Sequence, residues 1–279
     1  MVEGLRADGA IILGKASLDE FAFGFTSQFS AGSEPGDTVY VASPYATDKT
    51  AGGSSGGTGA AIAANLGAIG FGTDTGGSIR VPSSYNQLVG VRPTVGLASR
   101  DGIVPLALSQ DTGGPMTRSV SDAAIALDAV VGSDPADPVT AEADDRAPES
   151  YTSYLDPEAL AGTRIGYLAS MLPADVTVQR LWAQAVADLE AQGATVEEIT
   201  IEGIDPVLGE GSGSTNEFKH DLDEYIAAHL GDSVGARSLR AIIDTGHIVP
   251  SRASTYDRRE QVTEEEYDAW MESHTAVLA

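Results

Sequence analysis

The sequence predicts an α/β fold in which helices surround a mixed central β-sheet. Short apolar runs alternate with longer segments of helical periodicity, which is the pattern of strands and helices that follow one another. Glycine-rich turns stand at the junctions between these segments. Apolar residues make up 42% of the 279 residues, which is enough to bury a sizeable core and excludes a wholly disordered chain.

In the first half of the chain, the expected elements lead into and out of two glycine-rich segments. The apolar run of residues 10–13 predicts a buried strand. Residues 26–53 are rich in Gly, Ser, Thr and Pro and predict an irregular surface stretch. Small residues after Gly57 predict a helix packed closely on a sheet, and residues 68–72 predict the next short buried strand. A further helix is expected over residues 120–131.

In the second half, a new α/β segment follows an Asp-, Pro- and Ala-rich stretch over residues 132–162. Residues 164–168 predict a strand, and the apolar residues at helical spacing after Thr177, taken as the N-cap, predict a helix. Alternation over residues 195–201 predicts another strand. Beyond Gly213 the pattern is mostly helical, and helices are expected over residues 216–230, 238–244 and 263–277.

The composition excludes several classes of function. Lys and Arg total 16 and Asp and Glu total 41, so that the formal net charge is −25 and contact with nucleic acid or anionic lipid is disfavoured. No cysteine is present, which excludes disulfides, thiolate metal sites and a cysteine nucleophile. No apolar run could span a bilayer, and no signal-peptide core begins the chain. A cytoplasmic protein is expected, and its acidity fits either adaptation to high salt or compositional drift.

The densest chemical signal lies in two Gly- and Ser-rich loops, at residues 52–57 and 73–78. These glycines stand where apolar strand and helix segments meet, so that backbone N–H groups could approach a bound anion closely. A phosphate-binding loop would carry a lysine after its last glycine, and neither loop does. An oxyanion-binding site beside a serine nucleophile is therefore the better interpretation.

One interpretation makes Ser55 the nucleophile, because residues 53–57 match the Gly-x-Ser-x-Gly elbow. Such a serine needs a base. The histidines that could supply it are His220, His229, His247 and His274. The two-loop arrangement predicts instead that no histidine lies near the serines of the loops. No Ser-x-x-Lys motif and no cluster with metal-ligand spacing is present, so that no metal is expected.

A set of motifs between residues 8 and 131 resembles the amidase signature family. The residues that carry the resemblance are 52–57, 72–80, 82, 90–94 and 114–115, with 13–15 and 20–21 upstream. Members of this family hydrolyse carboxamides with a Ser–Ser–Lys triad, and their fold is a mixed sheet wrapped by helices. The resemblance therefore implies the same fold and the same chemistry here.

The resemblance also assigns roles to individual residues. It implies Ser78 as the nucleophile, with its hydroxyl facing a cleft and within hydrogen-bond reach of Ser54, the bridging serine. It implies a cis peptide bond in the loop of the nucleophile. The oxyanion hole would consist of the backbone N–H groups of Thr75, Gly76 and Gly77, together with that of Ser78. The expected partner is a small-molecule or peptide-like amide, no cofactor is expected, and a homodimer is left open.

The lysine of the triad has no counterpart at the expected place in this sequence. In the family it lies well upstream of the bridging serine, farther than the 53 residues that precede Ser54. The lysines of the chain are Lys15, Lys49 and Lys219, and none stands at that place. The interpretation is a single amidase-signature domain over residues 1–279, incomplete at its N-terminus and at its C-terminus, with weak or no activity alone. The alternative is a natural short form that recruits another lysine.

Two other functions are weighed against a free-standing amidase. The A subunit of the tRNA-dependent amidotransferase shares the core but typically carries Lys-Pro-Thr-Tyr-Gly and Ala-Ser-Ser-Leu-Asp-Gln. This chain has Arg-Pro-Thr-Val-Gly at residues 92–96 and Leu-Ala-Leu-Ser-Gln-Asp at residues 106–111. The other alternative is an inactive fragment or a binding module. Phe23, Gln110 and Asp111 either border a substrate pocket or serve packing and turns.

Overall fold

A computed structural model of the protein describes residues 1–31 and 34–278, the last of these without its side chain. The chain divides into two compact units. The first unit comprises Met1–Thr152 and the segment from Gly211 onward, and the second comprises Ser153–Glu210. Both units combine helices with strands, which confirms the predicted α/β class.

The strands of the first unit form small antiparallel sheets. β1 (Gln28–Ser30) pairs with β2 (Thr38–Tyr40), and β3 (Ala42–Ser43) pairs with β4 (Ala46–Thr50). The third sheet contains β5 (Ile69–Thr73), β6 (Val89–Gly90) and β7 (Gly113–Thr117) in the order β5-β7-β6. Residues 26–53 were expected to be irregular and instead contain two short strand pairs. The consecutive β-branched and aromatic residues of β2, Thr38, Val39 and Tyr40, favour a strand even in a Gly-rich stretch.

The helices of the first unit that come before the second unit in the chain are short. They are α1 (Val2–Ala7), α2 (Gly56–Ala63), α3 (Arg80–Tyr85), α4 (Val120–Asp128) and α5 (Ala143–Arg146). The predicted helices after Gly57 and over residues 120–131 are therefore confirmed. Ser119 caps α4 by accepting a hydrogen bond from the backbone N–H of Asp122.

The second unit is built on one parallel β-α-β motif. β8 (Arg164–Tyr167) and β9 (Thr195–Glu198) pair in parallel, and α6 (Val176–Ala191) connects them. A shorter helix, α7 (Ile204–Gly209), follows. Thr177 was expected to cap α6, but the cap is Asp175, whose carboxylate accepts the backbone N–H groups of Thr177 and Val178. An Asp at that position can reach two of the unpaired donors of the first turn.

The remaining helices belong to the first unit and enclose an aromatic core. They are α8 (Phe218–His229), α9 (Leu239–Asp244), α10 (Ala253–Glu260) and α11 (Glu264–Leu278), and the three predicted over this segment correspond to α8, α9 and α11. The rings of Phe23 and Phe218 meet edge to face at 4.7 Å, and that of Tyr256 lies 5.5 Å from Phe23. The core thus anchors the segment that precedes the first glycine loop onto α8 and α10.

The prediction of a buried strand at residues 10–13 is wrong. These residues form no strand, and the side chains of Ile11 and Leu13 are 84% and 76% exposed. An apolar run identifies a buried strand only if neighbouring strands pair with its backbone and cover its side chains. No helix in the described part of the chain is long and apolar enough to cross a bilayer.

Candidate active site

The first glycine loop, residues 52–57, joins β4 to α2 and is held by neutral main-chain contacts. The carbonyl of Ser54 accepts the backbone N–H of Asp19 at 2.9 Å, and the Gly57 N–H donates to the carbonyl of Ser17 at 3.0 Å. The hydroxyl of Ser27 donates to the carbonyl of Gly52. The upstream segment therefore fixes this loop at both of its ends.

Ser54 stands out in this loop because its side chain is fully buried and its hydroxyl has no hydrogen-bond partner among the described residues. A buried hydroxyl without a partner is costly, and such groups occur at functional positions. The peptide bond between Gly53 and Ser54 is cis. The cis bond was predicted in the loop of Ser78 and lies instead in the loop of Ser54. The motif alone did not distinguish the two glycine loops.

The second glycine loop, residues 73–78, joins β5 to α3 and is held by a charged group. The carboxylate of Asp74 is completely buried and accepts the backbone N–H groups of Gly77 at 2.7 Å and Ile79 at 3.1 Å. Arg80 and Arg92 both form ion pairs with it. Burial raises the pKa of Asp74, but the hydrogen bonds from Arg80, Ile79 and Gly77 outweigh burial, and its pKa lies below the usual value.

The two loops lie side by side. The backbone N–H of Ser55 donates to the carbonyl of Ser78 at 3.1 Å, which places the residue after Ser54 next to the candidate nucleophile. Ser78 is 3% exposed. The hydroxyls of Ser54 and Ser78 form no hydrogen bond with each other in this structure, because that of Ser54 has no partner within residues 1–31 and 34–278. The backbone juxtaposition therefore exists, while the hydroxyl relay is not formed.

The predicted oxyanion donors differ from one another in what they contact. The N–H of Gly77 already donates to Asp74. The N–H groups of Thr75, Gly76 and Ser78 have no acceptor in the described chain. Gly76 is exposed, and a Cβ built on it would meet no atom within 4 Å. Unpaired amides with open space beside them can approach a bound oxyanion.

The elbow interpretation of Ser55 is not supported by its contacts. The Ser55 hydroxyl donates to the carbonyl of Thr73 at 3.2 Å and accepts the Thr73 N–H at 3.1 Å. Both of its hydrogen bonds are therefore to the main chain of one residue. Within residues 1–31 and 34–278, no histidine forms a hydrogen bond with the Ser55 hydroxyl. His220 contacts Glu264, His229 lies near Asp101, His247 is exposed, and His274 stacks on Trp270.

The three lysines are exposed or make contacts with groups other than Ser54. Lys15 is exposed. Lys49 is 73% exposed and lies 3.5 Å from Asp48. Lys219 is half-buried on α8, and its ammonium group donates to the carbonyl of Val262 at 3.4 Å. Since the Ser54 hydroxyl has no hydrogen-bond partner, none of these ammonium groups contacts it.

The three residues that the sequence offered as pocket residues all make contacts within the first unit. Phe23 is part of the aromatic core. The carboxylate of Asp111 accepts the backbone N–H groups of Leu106 and Ala107 and closes that turn. Its other oxygen accepts the hydroxyl of Thr75, so that Asp111 also supports the second glycine loop. The side-chain oxygen of Gln110 accepts the Gly213 N–H at 3.0 Å.

Comparison with known proteins now decides the family. The Amidase family profile matches residues 1–278. The chain belongs to the amidase family. A probable amidase of Arabidopsis thaliana is 38% identical over 255 residues, which are 87% of this chain and 47% of that protein. The A subunit of the glutamyl-tRNA(Gln) amidotransferase of Thermosynechococcus vestitus is 42% identical over 203 residues, 72% of this chain and 40% of that protein.

Solved structures of the family have the same fold. The native peptide amidase of Stenotrophomonas maltophilia matches with a TM-score of 0.83 and 35% identity, over 96% of this chain and 56% of that one. The A subunit of the glutamyl-tRNA(Gln) amidotransferase of Thermotoga maritima matches with a TM-score of 0.68 and 28% identity, over 99% of this chain and 56% of that one. The chain spans about half the length of the curated relatives it matches.

Sequence reasoning missed two buried carboxylates, one within the second glycine loop and one beside the first. Asp74 was part of the matched motif without a role, and Asp19 was not singled out. The side chain of Asp19 is fully buried beside the cis bond and accepts the backbone N–H groups of Thr26, Ser27 and Gln28. The signal that could have identified Asp74 is the general preference of an Asp side chain for hydrogen bonds to nearby backbone N–H groups in a turn.

Proposed function

We propose that this chain hydrolyses the C–N bond of a carboxamide through an acyl-enzyme on Ser78. The observation that carries the proposal is the junction of the two glycine loops. It combines the buried, unpartnered hydroxyl of Ser54, the bond from Ser55 N–H to the Ser78 carbonyl, and unpaired amides at Thr75 and Gly76. Buried serines beside unpaired backbone donors suit acyl transfer, in which a hydroxyl attacks and an oxyanion forms.

The reaction consists of two displacements at one carbonyl carbon. The Ser78 oxygen attacks that carbon, and the proton of its hydroxyl passes through Ser54 toward the leaving nitrogen, since a hydroxyl both accepts and donates. The C–N bond breaks, the amine leaves with the proton, and an ester to Ser78 remains. Water then attacks the ester, its proton returns to the Ser78 oxygen, and the carboxylic acid leaves. The amides of Thr75, Gly76 and Ser78 stabilise the oxyanion in both steps.

The proton relay needs a terminal base, for which the family uses a lysine. We assign that role to none of Lys15, Lys49 and Lys219, because each is exposed or engaged away from Ser54. General-base assistance is worth about 10²–10⁴-fold, so that the chain alone hydrolyses amides slowly or not at all. The family match extends over both compact units, and we assign them to one amidase-signature domain.

The test uses an activated ester, because a nitrophenolate leaves without needing a proton from the relay. The chain is incubated with a p-nitrophenyl ester, and mass spectrometry locates the acyl group. We expect slow acylation of Ser78 and none in Ser78→Ala. Ser84→Ala, which alters an exposed serine of α3, is the matched control and keeps the wild-type rate. A variant with all three lysines changed to alanine also keeps that rate.

Three results would each contradict a part of the proposal. Acylation at Ser55 or at a scattered set of residues would show that Ser78 is not the nucleophile, and an inert chain would favour a binding module. A Ser78-dependent turnover of amides that disappears on changing one lysine would show that this lysine is the base.

A second candidate function is that of the amidotransferase A subunit, because several curated relatives carry that name. Such a chain would release ammonia from glutamine in preference to other carboxamides. The structural match to the amidotransferase chain is weaker than that to the peptide amidase, with TM-scores of 0.68 and 0.83. Ammonia release from glutamine and from a peptide carboxamide, compared in one assay, distinguishes the two.

A further inference from the structure

The inference concerns Arg259 on α10, a cation that has no counter-ion among the described residues. Four arginine side chains in the described part of the chain are partly buried: Arg92, Arg100, Arg252 and Arg259. The first three each lie close to a carboxylate, at 3.2, 2.7 and 3.8 Å. Within residues 1–31 and 34–278, the side chain of Arg259 has neither an ion pair nor a hydrogen bond, and its Nε is buried. Arg259 is therefore the exception in this group.

An unpaired guanidinium is costly in these surroundings. Burial lowers the pKa of Arg259, and repulsion from Arg258 lowers it further, with no carboxylate acting in the opposite direction. The group stays charged at neutral pH, because a guanidinium keeps its proton in proteins. Taking a charge out of water without a partner is unfavourable, although the chain has 41 acidic residues that could provide one. A bound anion would supply the missing charge.

The guanidinium of Arg259 faces the segment that precedes the first glycine loop. Tyr256 and Arg259, three residues apart, share one face of α10. The ring of Tyr256 is fully buried beside that of Phe23, and Cζ of Arg259 lies 6.0 Å from the centre of the same Phe23 ring. The guanidinium of Arg252 fills the space beside Gly24, where a Cβ would overlap it. Two cations thus lie along Phe23 and Gly24, and only Arg252 has a carboxylate near it.

The next residue, Phe25, contacts both glycine loops. Its backbone lies 2.9 Å from the position of a Cβ on Gly53, and its ring lies 3.3 Å from the position of a Cβ on Gly77. Phe25 is 48% exposed. Because Phe23 and Phe25 are two residues apart, their Cα atoms are separated by at most about 7 Å. The unpaired cation therefore lies beside the segment that borders the proposed site of acyl transfer.

We propose that Arg259 binds a carboxylate of the substrate, so that the chain selects carboxamides whose acyl part ends in a negative charge. A carboxylate accepts two parallel N–H bonds from a guanidinium, and the unpaired Arg259 offers such a pair of donors. The acyl part becomes attached to Ser78, and Phe25 contacts the loop of that serine. The inference rests on the proposed acyl-enzyme and adds its class of substrate. The alternative is that Arg259 only covers the ring of Phe23 in a cation–π contact.

The experiment compares esters that differ by one charge. Acylation of Ser78 is measured with the mono-p-nitrophenyl esters of adipate, pimelate and suberate, and with p-nitrophenyl hexanoate, heptanoate and octanoate. Each anionic ester then has a neutral counterpart with the same number of acyl carbons. At the length that gives the largest ratio of the anionic to the neutral rate, we expect Arg259→Gln to lower this ratio at least about tenfold, as the loss of a charge-assisted hydrogen bond does.

Arg258→Gln is the matched control, because Arg258 is the exposed neighbour of Arg259 and its removal changes the net charge by the same amount. Salt screens an exposed charge, and the ratio should therefore change less than about twofold in this control. A similar loss in both variants overturns the inference. A ratio that Arg259→Gln leaves unchanged also overturns it, and is the result expected if Arg259 only covers Phe23.

Binding is measured separately on the wild-type chain, which makes the test independent of how the variants fold and of acylation. The Nε–Hε NMR signal of Arg259 is followed during titration with suberamate, the monoamide of suberate, and with suberamide, its neutral diamide. We expect a saturable shift with suberamate only. No shift, or an equal shift with acetate, overturns the inference. A chain that binds suberamate at Arg259 but is not acylated at Ser78 supports the carboxylate site and refutes the proposed function.

Discussion

The two glycine loops share a composition but differ in what holds them. Neutral main-chain contacts hold residues 52–57, and a Cβ on Gly53 would overlap the carboxylate of Asp19. Charged side chains hold residues 73–78, and a Cβ on Gly76 would meet nothing within 4 Å. Glycine therefore permits close packing in the first loop and open access to the backbone in the second.

The largest effect that would test this comparison is expected at Ser54. Ser54→Ala should slow the acylation of Ser78 by the p-nitrophenyl ester by up to about 10²-fold relative to wild type, because the Ser78 hydroxyl loses the neighbour that takes up its proton. The same change should leave the free energy of unfolding unchanged or raise it by about 1 kcal/mol, since it removes a buried hydroxyl without a partner. Urea unfolding measures the stability of the variant, and mass spectrometry measures its rate of ester acylation at Ser78.

A matched control exists for this variant in Ser83, whose hydroxyl is also buried and unpartnered among the described residues. Ser83→Ala should change stability in the same direction and leave activity intact. If both variants lose activity equally, Ser54 has no special role.

The next effect concerns the glycines themselves. Gly53→Ala should destabilise the fold by about 1–3 kcal/mol or prevent folding, because its Cβ would overlap Asp19 and lie 2.9 Å from the backbone of Phe25. Gly76→Ala should change stability by less than about 0.5 kcal/mol but slow acylation of Ser78, because a methyl group would occupy the open space. Thermal unfolding measures the stability of both variants, and ester acylation measures the reactivity of Ser78 in Gly76→Ala.

Gly235→Ala serves as the control for Gly76, since a Cβ there also meets nothing within 4 Å and the residue lies outside both loops. It should change neither stability nor acylation appreciably. If Gly76→Ala behaves in the same way, the open space beside the second loop is not used by the acyl group.

The smallest effect is expected from pH. Burial raises the pKa of Asp19 despite hydrogen bonds from Gln28, Ser27 and Thr26, whereas the pKa of Asp74 is lowered. Because the fold binds a proton on Asp19 more tightly than the unfolded chain does, acidification toward the usual value of about 3.9 favours the fold through Asp19. The contribution of Asp74 is present above that value and is lost as the pH falls through its lower folded pKa.

The carboxyl carbon chemical shifts of Asp19 and Asp74, followed by NMR in one pH titration, give the titration midpoint of each group. We expect the midpoint of Asp19 above that of Asp74, and Asp74→Asn should reduce the loss of stability in urea unfolding below about pH 4. The reverse order of midpoints would contradict the assignment of charged support to the second loop and neutral support to the first.

The helices of the fold were predictable from composition and periodicity. Small residues located α2, and periodicity located α4, α6, α8 and α11 to within a few residues. The run at residues 10–13 failed, because hydrophobicity indicates a preference for burial but not whether a partner strand is present. The cap at Asp175 was missed because Thr177 and Asp175 are both good N-caps two residues apart, and only the backbone geometry selects one.

The site was predictable as a set of residues and less so as a geometry. The motifs brought Ser54, Ser78 and the glycine amides into one hypothesis, and the structure places their backbones together. Whether the hydroxyls of Ser54 and Ser78 contact each other depends on side-chain torsions. Which amide of the second loop is already paired depends on the hydrogen bond from Gly77 to the carboxylate of Asp74. Spacing along the chain carries no information about either.

The exposed side chains of Ile11 and Leu13 have a consequence for colloidal behaviour. They offer apolar surface for contact between copies of the chain, while a net charge of −25 keeps the copies apart. This repulsion extends over roughly 30 Å at 0.01 M salt but only about 3 Å at 1 M, whereas the attraction between apolar groups does not weaken. Concentrated salt should therefore promote self-association of this acidic chain, which is the opposite of what adaptation to high salt would require.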